Sequence, residues 1–194
     1  MFEAYPKEII LSDGTGLTLR PLRAGDEEPL YQMFKRFPSS DRWFLEGDVT
    51  DFQLIKYWVE KRVMKRAIAL VAELEGSIIA HATLAGKTYG AKRHIGKIGV
   101  SVDPAFRERN LGTWMLLDLI NLAMSMELEL LVMHLVEDRD ASVIKGLKKL
   151  EFSKEAILKG HVKDQEGHPH GLVIMVKRLH QGWGGNGINN PRSR

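Results

Sequence analysis

The stretch VSVDPAFRERNLGTWML, residues 100–116, joins two patterns that predict different secondary structures. Its first three residues alternate like the end of a β-strand, and its last residues have the apolar spacing of an amphipathic helix. A helix N-terminus carries unpaired amides and the positive end of the helix dipole, so a permissive loop that leads into it can cradle an anion. The joint in this stretch is both basic and permissive, since it contains Arg107, Arg109, Asn110 and Gly112.

Two of these residues decide the conformation of the joint. Gly112 lets a ligand approach the backbone closely and has no steric penalty at positive φ. Asn110 is one of the few other residue types that tolerate left-handed φ, so we predict a positive φ there if the cradle forms. A diphosphate is the natural occupant of such a cradle. The pattern is neither a Walker loop nor a dinucleotide fingerprint, and an ordinary loop with solvated arginines is the alternative.

Periodic patterns on both sides of this stretch predict a mixed fold. Alternating runs around the DGTG turn, the pair AIALVAEL and SIIAHATL, and the pair AILKGHV and LVIMVKR predict antiparallel strands. Residues 94–102 and the apolar run LELLVMHLV predict two strands joined in parallel through a helix at 112–126. We therefore expect an α/β (α+β) fold with a mixed, mostly antiparallel central sheet and flanking helices.

Three helix starts carry capping signals. Asp26 is placed to cap the first helix, and Asp140 is placed to cap the helix in DASVIKGLKKL. Thr50 and Gln53 form a capping-box pattern before the second helix.

Composition excludes several classes of protein. The 194 residues contain no cysteine, which excludes disulfides, zinc–thiolate sites and thiol nucleophiles. There is no signal-peptide pattern, and no apolar run reaches the roughly 18 residues of a membrane span, so we expect a cytoplasmic protein without a membrane partner. The net charge is +3, with basic residues scattered among 25 acidic ones. No nucleic-acid-binding motif accompanies that charge, so we expect no nucleic-acid partner.

Residues 1–180 are expected to form a single domain, because the length suits one domain and there is no internal repeat. Residues 181–194 are rich in glycine and asparagine without periodicity, which predicts a flexible tail. The loop KDQEGHPH predicts a hairpin connection. We expect no metal site at its HPH, residues 168–170, on the ground that no carboxylate or third histidine has ligand spacing.

Two motifs make the chain resemble the GNAT superfamily, the general-control-related N-acetyltransferases. VDPAFRERNLGTWML resembles motif A, which is Gln/Arg-x-x-Gly-x-Gly/Ala after a strand that ends in Val-x-Pro. Arg107 matches its first position and Gly112 its last, while Asn110 stands where the first glycine usually is. DASVIKGLKKLEF resembles motif B, with Asp140 in place of an asparagine and Glu151 in place of a glycine. The resemblance covers residues 16–178 and implies the GNAT-like acyl-CoA N-acyltransferase fold.

The resemblance implies an N-acetyltransferase that uses acetyl-CoA and no metal. Members of the superfamily transfer the acetyl group by direct attack of an amine, so the acceptor would be a primary amine of a small molecule or a protein. The pantetheine arm of coenzyme A would pair with the backbone of Val100 and Val102 and touch Asp140. Whether the protein forms a homodimer is left open. The pyrophosphate would lie against the amides of Arg107, Arg109, Asn110, Leu111, Gly112 and Thr113.

The resemblance leaves the catalytic residues open. Lys97 stands near the place of a strand glutamate that acts as the base in many relatives, and Leu147 in the place of a tyrosine that protonates the thiolate. We take His134 and Glu73 as candidate bases, although a histidine in an apolar run such as LLVMHLV usually packs in the core. Other candidates are His81, Glu46 and Asp48 as bases and Tyr89 as the acid.

The missing glutamate and tyrosine also support a second hypothesis, a non-catalytic acyl-CoA-binding sensor or interaction module on the same fold. Acceptor specificity is expected from the loops at 38–50, 86–93 and 163–170. In the first of these loops, Trp43 and Phe44 either line the acceptor pocket or pack against the helix after Thr50.

Overall fold

The computed structural model of the protein describes residues 2–61 and 67–179. Its helices are α1 (Glu27–Lys35), α2 (Ser39–Arg42), α3 (Phe52–Lys61), α4 (Leu111–Ser125) and α5 (Ala141–Lys149), with a short 3₁₀ helix at Pro104–Phe106. Its strands are β1 (Lys7–Ile10), β2 (Gly16–Pro21), β3 (Ala67–Leu74), β4 (Ser77–Gly86), β5 (Ile95–Val102), β6 (Leu130–Val136), β7 (Ser153–Lys163) and β8 (Pro169–Arg178).

The strands of the described residues form one sheet in the order β1-β2-β3-β4-β5-β6-β8-β7. Neighbouring strands pair antiparallel, except that β5 and β6 pair in parallel through the crossover helix α4. This arrangement confirms the predicted mixed, mostly antiparallel sheet with flanking helices. The predicted tail at 181–194 lies outside the described residues. No helix of the described part is long and apolar enough to span a lipid bilayer.

Helix α4 covers one face of the sheet because its apolar residues recur at helical spacing. Leu111, Met115, Leu119 and Leu122 are all buried. They form one core with residues of β3 and β4 that include Leu70, Ala82 and Leu84. Full burial of each such leucine contributes about 1.5–3 kcal/mol.

Helices α1 and α3 cover only part of the opposite face. Leu30 and Phe34 of α1 and Ile55 and Val59 of α3 pack against Val71 of β3. Farther across the sheet, Ala85 and His134 on the same face are exposed among the described residues.

This open area lies over the central strands. Ala85 of β4, Lys97 of β5 and Val132 of β6 are register partners in one row. Ala85 is exposed although β4 is paired on both sides, and Lys97 and Val132 are only half-buried. His134 follows Val132 by two residues, so it lies on the same face, and it is exposed.

Strands β5 and β6 separate beyond this row. Their pairing runs from Ile95 opposite Leu130 to Lys97 opposite Val132 and then ends. Strand β5 nevertheless continues to Val102 and β6 to residue 136. Among the described residues no strand pairs with β5 on this side beyond Lys97, so the sheet has an opening there.

The N-caps predicted for α1 and α5 are confirmed by position but not by hydrogen bonding. Asp26 and Asp140 occupy the N-cap positions, but neither side chain bonds to the first turn of its helix. The Asp26 carboxylate instead accepts two bonds from the Arg20 guanidinium, at 2.7 and 2.8 Å. The Asp140 carboxylate turns back to accept from the Val136 amide at 2.8 Å.

The predicted capping box at Thr50 is wrong. Helix α3 begins at Phe52, and the Asp51 carboxylate accepts from the Gln53 amide at 2.8 Å. The Thr50 hydroxyl is used elsewhere, because it bonds to Asp48.

Candidate functional site

The loop between β5 and α4 is tied to the rest of the protein by a buried aspartate. Asp103 is 2% exposed, and its carboxylate accepts from the Ala105 amide at 3.0 Å. It also pairs with Arg36 at the end of α1. The Arg36 guanidinium in turn donates to the Ile78 carbonyl of β4 at 2.7 Å. The start of the loop is therefore fixed before any ligand binds.

The conformation predicted for Asn110 is confirmed. Its φ is 65° and its ψ is 6°, which is left-handed, and it immediately precedes α4. Glu108 is also left-handed, with φ of 62°, which the sequence did not indicate. A left-handed conformation costs an ordinary residue roughly 1–2 kcal/mol, so two of them within three residues mark a loop whose shape is maintained by its surroundings.

Gly112 lies at the start of α4, against the end of β5. A Cβ at this position would lie 3.7 Å from Val102 Cγ2 and 4.0 Å from Val100 Cγ1, which is ordinary contact. The fold therefore does not require glycine here. A side chain would instead lie between the end of β5 and the first turn of the 15-residue helix α4, where unpaired amides are available to an anion.

Both arginines of the loop have carboxylate partners. Arg107 donates to Asp41 at 2.7 Å and to the Val102 carbonyl at 3.2 Å. Arg109 donates to Asp13 at 2.7 Å. Partly exposed pairs of this kind contribute only about 0–1 kcal/mol, so an incoming phosphate can replace the carboxylates at little cost.

The structure brings the other predicted coenzyme residues to the same opening. Val100 and Val102 lie on the part of β5 beyond its pairing with β6, although the Val102 carbonyl already accepts from Arg107. Asp140 follows β6, on the other side of the opening, where its carboxylate fixes the turn into α5. Leu111 and Thr113 lie with Gly112 in the first turn of α4.

His134 is not in the core, so the alternative that it packs there is wrong. It lies on the open face beside Lys97 and near Glu46, which forms an ion pair with Lys97. Partial burial, and after it the positive charge of Lys97, lowers the pKa of His134 below its usual value. Glu46 opposes this shift and His161 adds to it. His134 is therefore neutral near pH 7 and able to accept a proton.

The structure removes the support for Glu73 as a base. Its carboxylate accepts from Arg20 at 2.6 Å, and Arg20 also binds the buried Asp26. Glu73 thus belongs to an ion-pair network on β2 and β3, two strands away from β5. No sequence pattern indicated this network.

The remaining candidate catalytic residues differ in their surroundings. His81 is 7% exposed and lies edge-on to the Phe34 ring, and burial lowers its pKa to about 4. Leu147 is buried, so the tyrosine position of motif B is filled by a core residue. Tyr89 is 89% exposed in the β4–β5 loop.

The segment at residues 38–51 contacts both sides of the opening. Asp41 pairs with Arg107 before α4 and with Arg139 before α5, the latter at 3.5 Å. Trp43 donates to the Lys163 carbonyl at 2.7 Å, and the Phe44 ring lies edge-on to His170. The two aromatic residues therefore contact the β7–β8 hairpin. The roles of Asp41 and Arg139 were missed, because neither residue has a local sequence signal.

The loop KDQEGHPH forms the predicted hairpin connection between β7 and β8. The argument that no carboxylate there has the spacing of a metal ligand was nevertheless wrong. Ligand atoms of Asp164, Glu166 and His168 lie within 4.8 Å of one another. Burial works to raise the pKa of Asp164, but hydrogen bonds from His170 and from the His168 backbone and ring outweigh it and hold the pKa at about 2.

Comparisons with solved structures agree with this geometry. A ribosomal-protein-alanine N-acetyltransferase from Brucella melitensis is 22% identical, with a TM-score of 0.71 over 83% of this chain and 99% of that chain. A Salmonella typhimurium protein solved with its cofactor acetyl-CoA is 20% identical, with a TM-score of 0.72 over 89% of this chain and 99% of that chain. At such identities the likeness shows the fold.

The comparison with protein families is more specific. No curated protein matches the chain significantly. The family model of the acetyltransferase (GNAT) family matches residues 28–152, which is more than half of the 194 residues. The match includes all but the first residue of α1, the opening between β5 and β6, and α5. The chain belongs to the GNAT family of acetyltransferases.

Proposed function

We propose that the protein is an acetyl-CoA-dependent N-acetyltransferase that acts on a primary amine of a small molecule or a protein. The observation that carries the proposal is the opening between β5 and β6 beyond Lys97 and Val132, with a helix N-terminus and a left-handed loop at one end and a neutral histidine at the other. The cytoplasmic location and the single domain remain predictions. Whether the protein forms a homodimer remains open.

Acetyl-CoA fits the residues at this opening. Gly112 adds no side chain to the first turn of α4, which lets a pyrophosphate approach its amides. The exposed edge of β5 at Val100 and Val102 suits an extended arm that adds to the sheet like a strand. Arg107 and Arg109 supply positive charge, and Asp140 borders the other side. When bound, acetyl-CoA supplies an acetyl thioester that the acceptor amine attacks directly.

We assign His134 as the general base. Deprotonation of an amine with a pKa of about 10.4 costs roughly 4.6 kcal/mol at pH 7, and a positioned base recovers a factor of about 10²–10⁴. His134 is exposed to an incoming acceptor on the open face, and its lowered pKa keeps it unprotonated at pH 7. Since Leu147 is buried, no side chain is assigned as the acid.

Turnover of acetyl-CoA with a panel of small-molecule and peptide amines tests the proposal. We expect turnover, and we expect His134→Gln to lower kcat by about 10²–10⁴ without changing CoA affinity. The acid limb of the pH–rate profile should disappear in this variant, because His134 no longer titrates. Glu73→Gln, on β3 two strands away from β5, is the control. Protection by CoA against thermal unfolding without any turnover would favour the non-catalytic module instead.

A further inference from the structure

The open face carries a cavity beside the proposed catalytic opening. Its volume is about 260 Å³, and it lies over the row of the sheet where β5 and β6 still pair. That volume is below the roughly 300–1,000 Å³ typical of pockets for drug-sized ligands, so it suits a small molecule. The cavity is lined by Ala85, Lys87, Lys92, Ile95, Lys97 and Val132.

The floor of the cavity is apolar, although it belongs to the centre of the sheet. Ala85, Ile95 and Val132 come from three neighbouring strands, and Ala85 is exposed. Apolar positions of central strands are normally covered by a packed layer, as α1 and α3 cover the same face at β3. The floor is therefore suited to contact an aliphatic part of a ligand.

The rim of the cavity is cationic. Lys97 rises from β5, and Lys87 and Lys92 come from the loop between β4 and β5. Lys92 and Lys97 place positive charge beside the cavity, and positive charge beside a small cavity favours an anionic ligand. Glu46 pairs with Lys97, but its side chain is 75% exposed, so this pair resists exchange only weakly.

The charges are ordered along the face. The lysines surround the cavity, while Glu46 and His134 lie toward the point where β5 and β6 separate. A ligand with an anionic group at one end and an amine at the other matches this order. Its amine would lie beside His134, and its anionic group would lie between Lys92 and Lys97.

We propose that the cavity binds the anionic group of the acceptor, so that the substrate is a small amine bearing a carboxylate or a phosphonate. This inference rests on the proposed acetyltransferase activity and names its acceptor class. The aliphatic part of the acceptor contacts Ile95 and Val132, and Lys92 and Lys97 select the anionic group. Lys92 therefore acts on selectivity alone, whereas Lys97 also lowers the pKa of His134.

Matched sets of amines test the inference. Each set holds an ω-amino acid or an aminoalkylphosphonate together with its amide and its amino alcohol, all of the same chain length. Binding to the CoA-loaded protein is followed by ligand-observed NMR and turnover by release of the thiol. We expect the anionic members to bind at least tenfold more tightly and to show at least tenfold lower KM, and we expect added salt to reduce the difference.

Variants identify the residues responsible. Lys92→Gln should raise the KM of the anionic acceptor at least tenfold with little change in kcat, and Lys92→Arg should restore it. Lys97→Gln should have the same effect on KM and should also move the acid limb of the pH profile upward, because Lys97 disfavours protonated His134. Lys148→Gln, on α5 beyond the other face of the sheet, is the matched control and should leave both constants unchanged.

The outcomes separate this inference from the proposed function. Equal binding and turnover of anionic and neutral amines, or a Lys92→Gln variant with unchanged KM, would overturn the inference and leave the acetyltransferase in place. A preference for acidic peptides over small acidic amines would overturn the small-molecule acceptor. If CoA binds and no amine is acetylated, the proposed function fails, and the NMR comparison still decides whether the cavity selects anions.

Discussion

Replacing Gly112 by aspartate should stabilise the free protein and abolish CoA binding, two effects of opposite sign. Gly112 is the second residue of α4, and a Cβ there meets only ordinary contacts with Val100 and Val102. A carboxylate in the first turn of a helix is favourable by about 0.3–1 kcal/mol, and loss of glycine from a helix adds a few tenths. The melting temperature should rise by about 2–4 °C for each kcal/mol in a chain of this size.

The same carboxylate should exclude the pyrophosphate from the cradle. Two unit negative charges roughly 5 Å apart repel by about 3 kcal/mol at an effective dielectric constant of 20. Since about 1.4 kcal/mol corresponds to a factor of ten, CoA affinity should fall by more than 100-fold. The two effects together cannot be mistaken for a loss of folding.

Calorimetric titration with CoA and thermal unfolding with and without CoA measure both effects. Gly112→Asn controls for the size of the new side chain, and Gly112→Ala controls for the loss of glycine alone. Both should retain more affinity than Gly112→Asp. A folded Gly112→Asp protein that binds CoA with unchanged affinity would refute the assignment of this loop as the pyrophosphate site.

Three further predictions concern the network at Arg20, the buried His81 and the left-handed Asn110. Arg20→Ala should lower the free energy of unfolding by about 3–5 kcal/mol in urea, because it leaves the buried Asp26 without its partner. Glu73→Gln should lower it by at most about 1 kcal/mol and leave kcat unchanged, and a large loss of kcat would restore Glu73 as a base. Because burial lowers the pKa of His81 to about 4 in the folded protein, the stability it contributes should be complete above pH 6.5 and should decline by about 3 kcal/mol as the pH falls to 4. The difference in urea stability between the wild type and His81→Leu should follow this curve, and a difference independent of pH would contradict it. Asn110→Ala should be less stable than Asn110→Gly by about 1–2 kcal/mol in thermal unfolding, since the φ of 65° favours glycine, and equal stabilities would count against that conformation.

The elements around the proposed coenzyme site could be predicted because their signals are local. The helix at 112–126 was predicted from apolar spacing within one segment, and it is observed as Leu111–Ser125. The left-handed φ at Asn110 was predicted from residue type and position alone, and it is observed. Local sequence determines such features because the backbone conformation and the buried stripe of a helix both arise within a few turns.

The functions of individual polar side chains could not be predicted in the same way. The motifs at Asp26, Asp140 and Thr50 each favour a helix cap, but each side chain bonds to a different partner. For Asp26 the partner is a buried guanidinium, and such a charge-assisted bond is stronger than a bond to a neutral amide. Likewise, Asp41 and Arg107 lie 66 positions apart, so only the folded chain brings them together.

The alternative that His134 packs in the core is wrong for a physical reason that also bears on the site. The run LLVMHLV is apolar at nearly every position, which is typical of a strand buried on both faces. A core position was therefore the alternative to a catalytic role for the histidine. Periodicity can place Val132 and His134 on one face of β6, but it cannot tell whether another layer covers that face. Helices α1 and α3 cover this face of the sheet only at β3 and β4. The apolar residues beyond them therefore line a cavity instead of a core. The structure thus departs from the sequence pattern at the exposed apolar floor of the cavity and at His134. Such departures from local sequence rules are expected at binding sites.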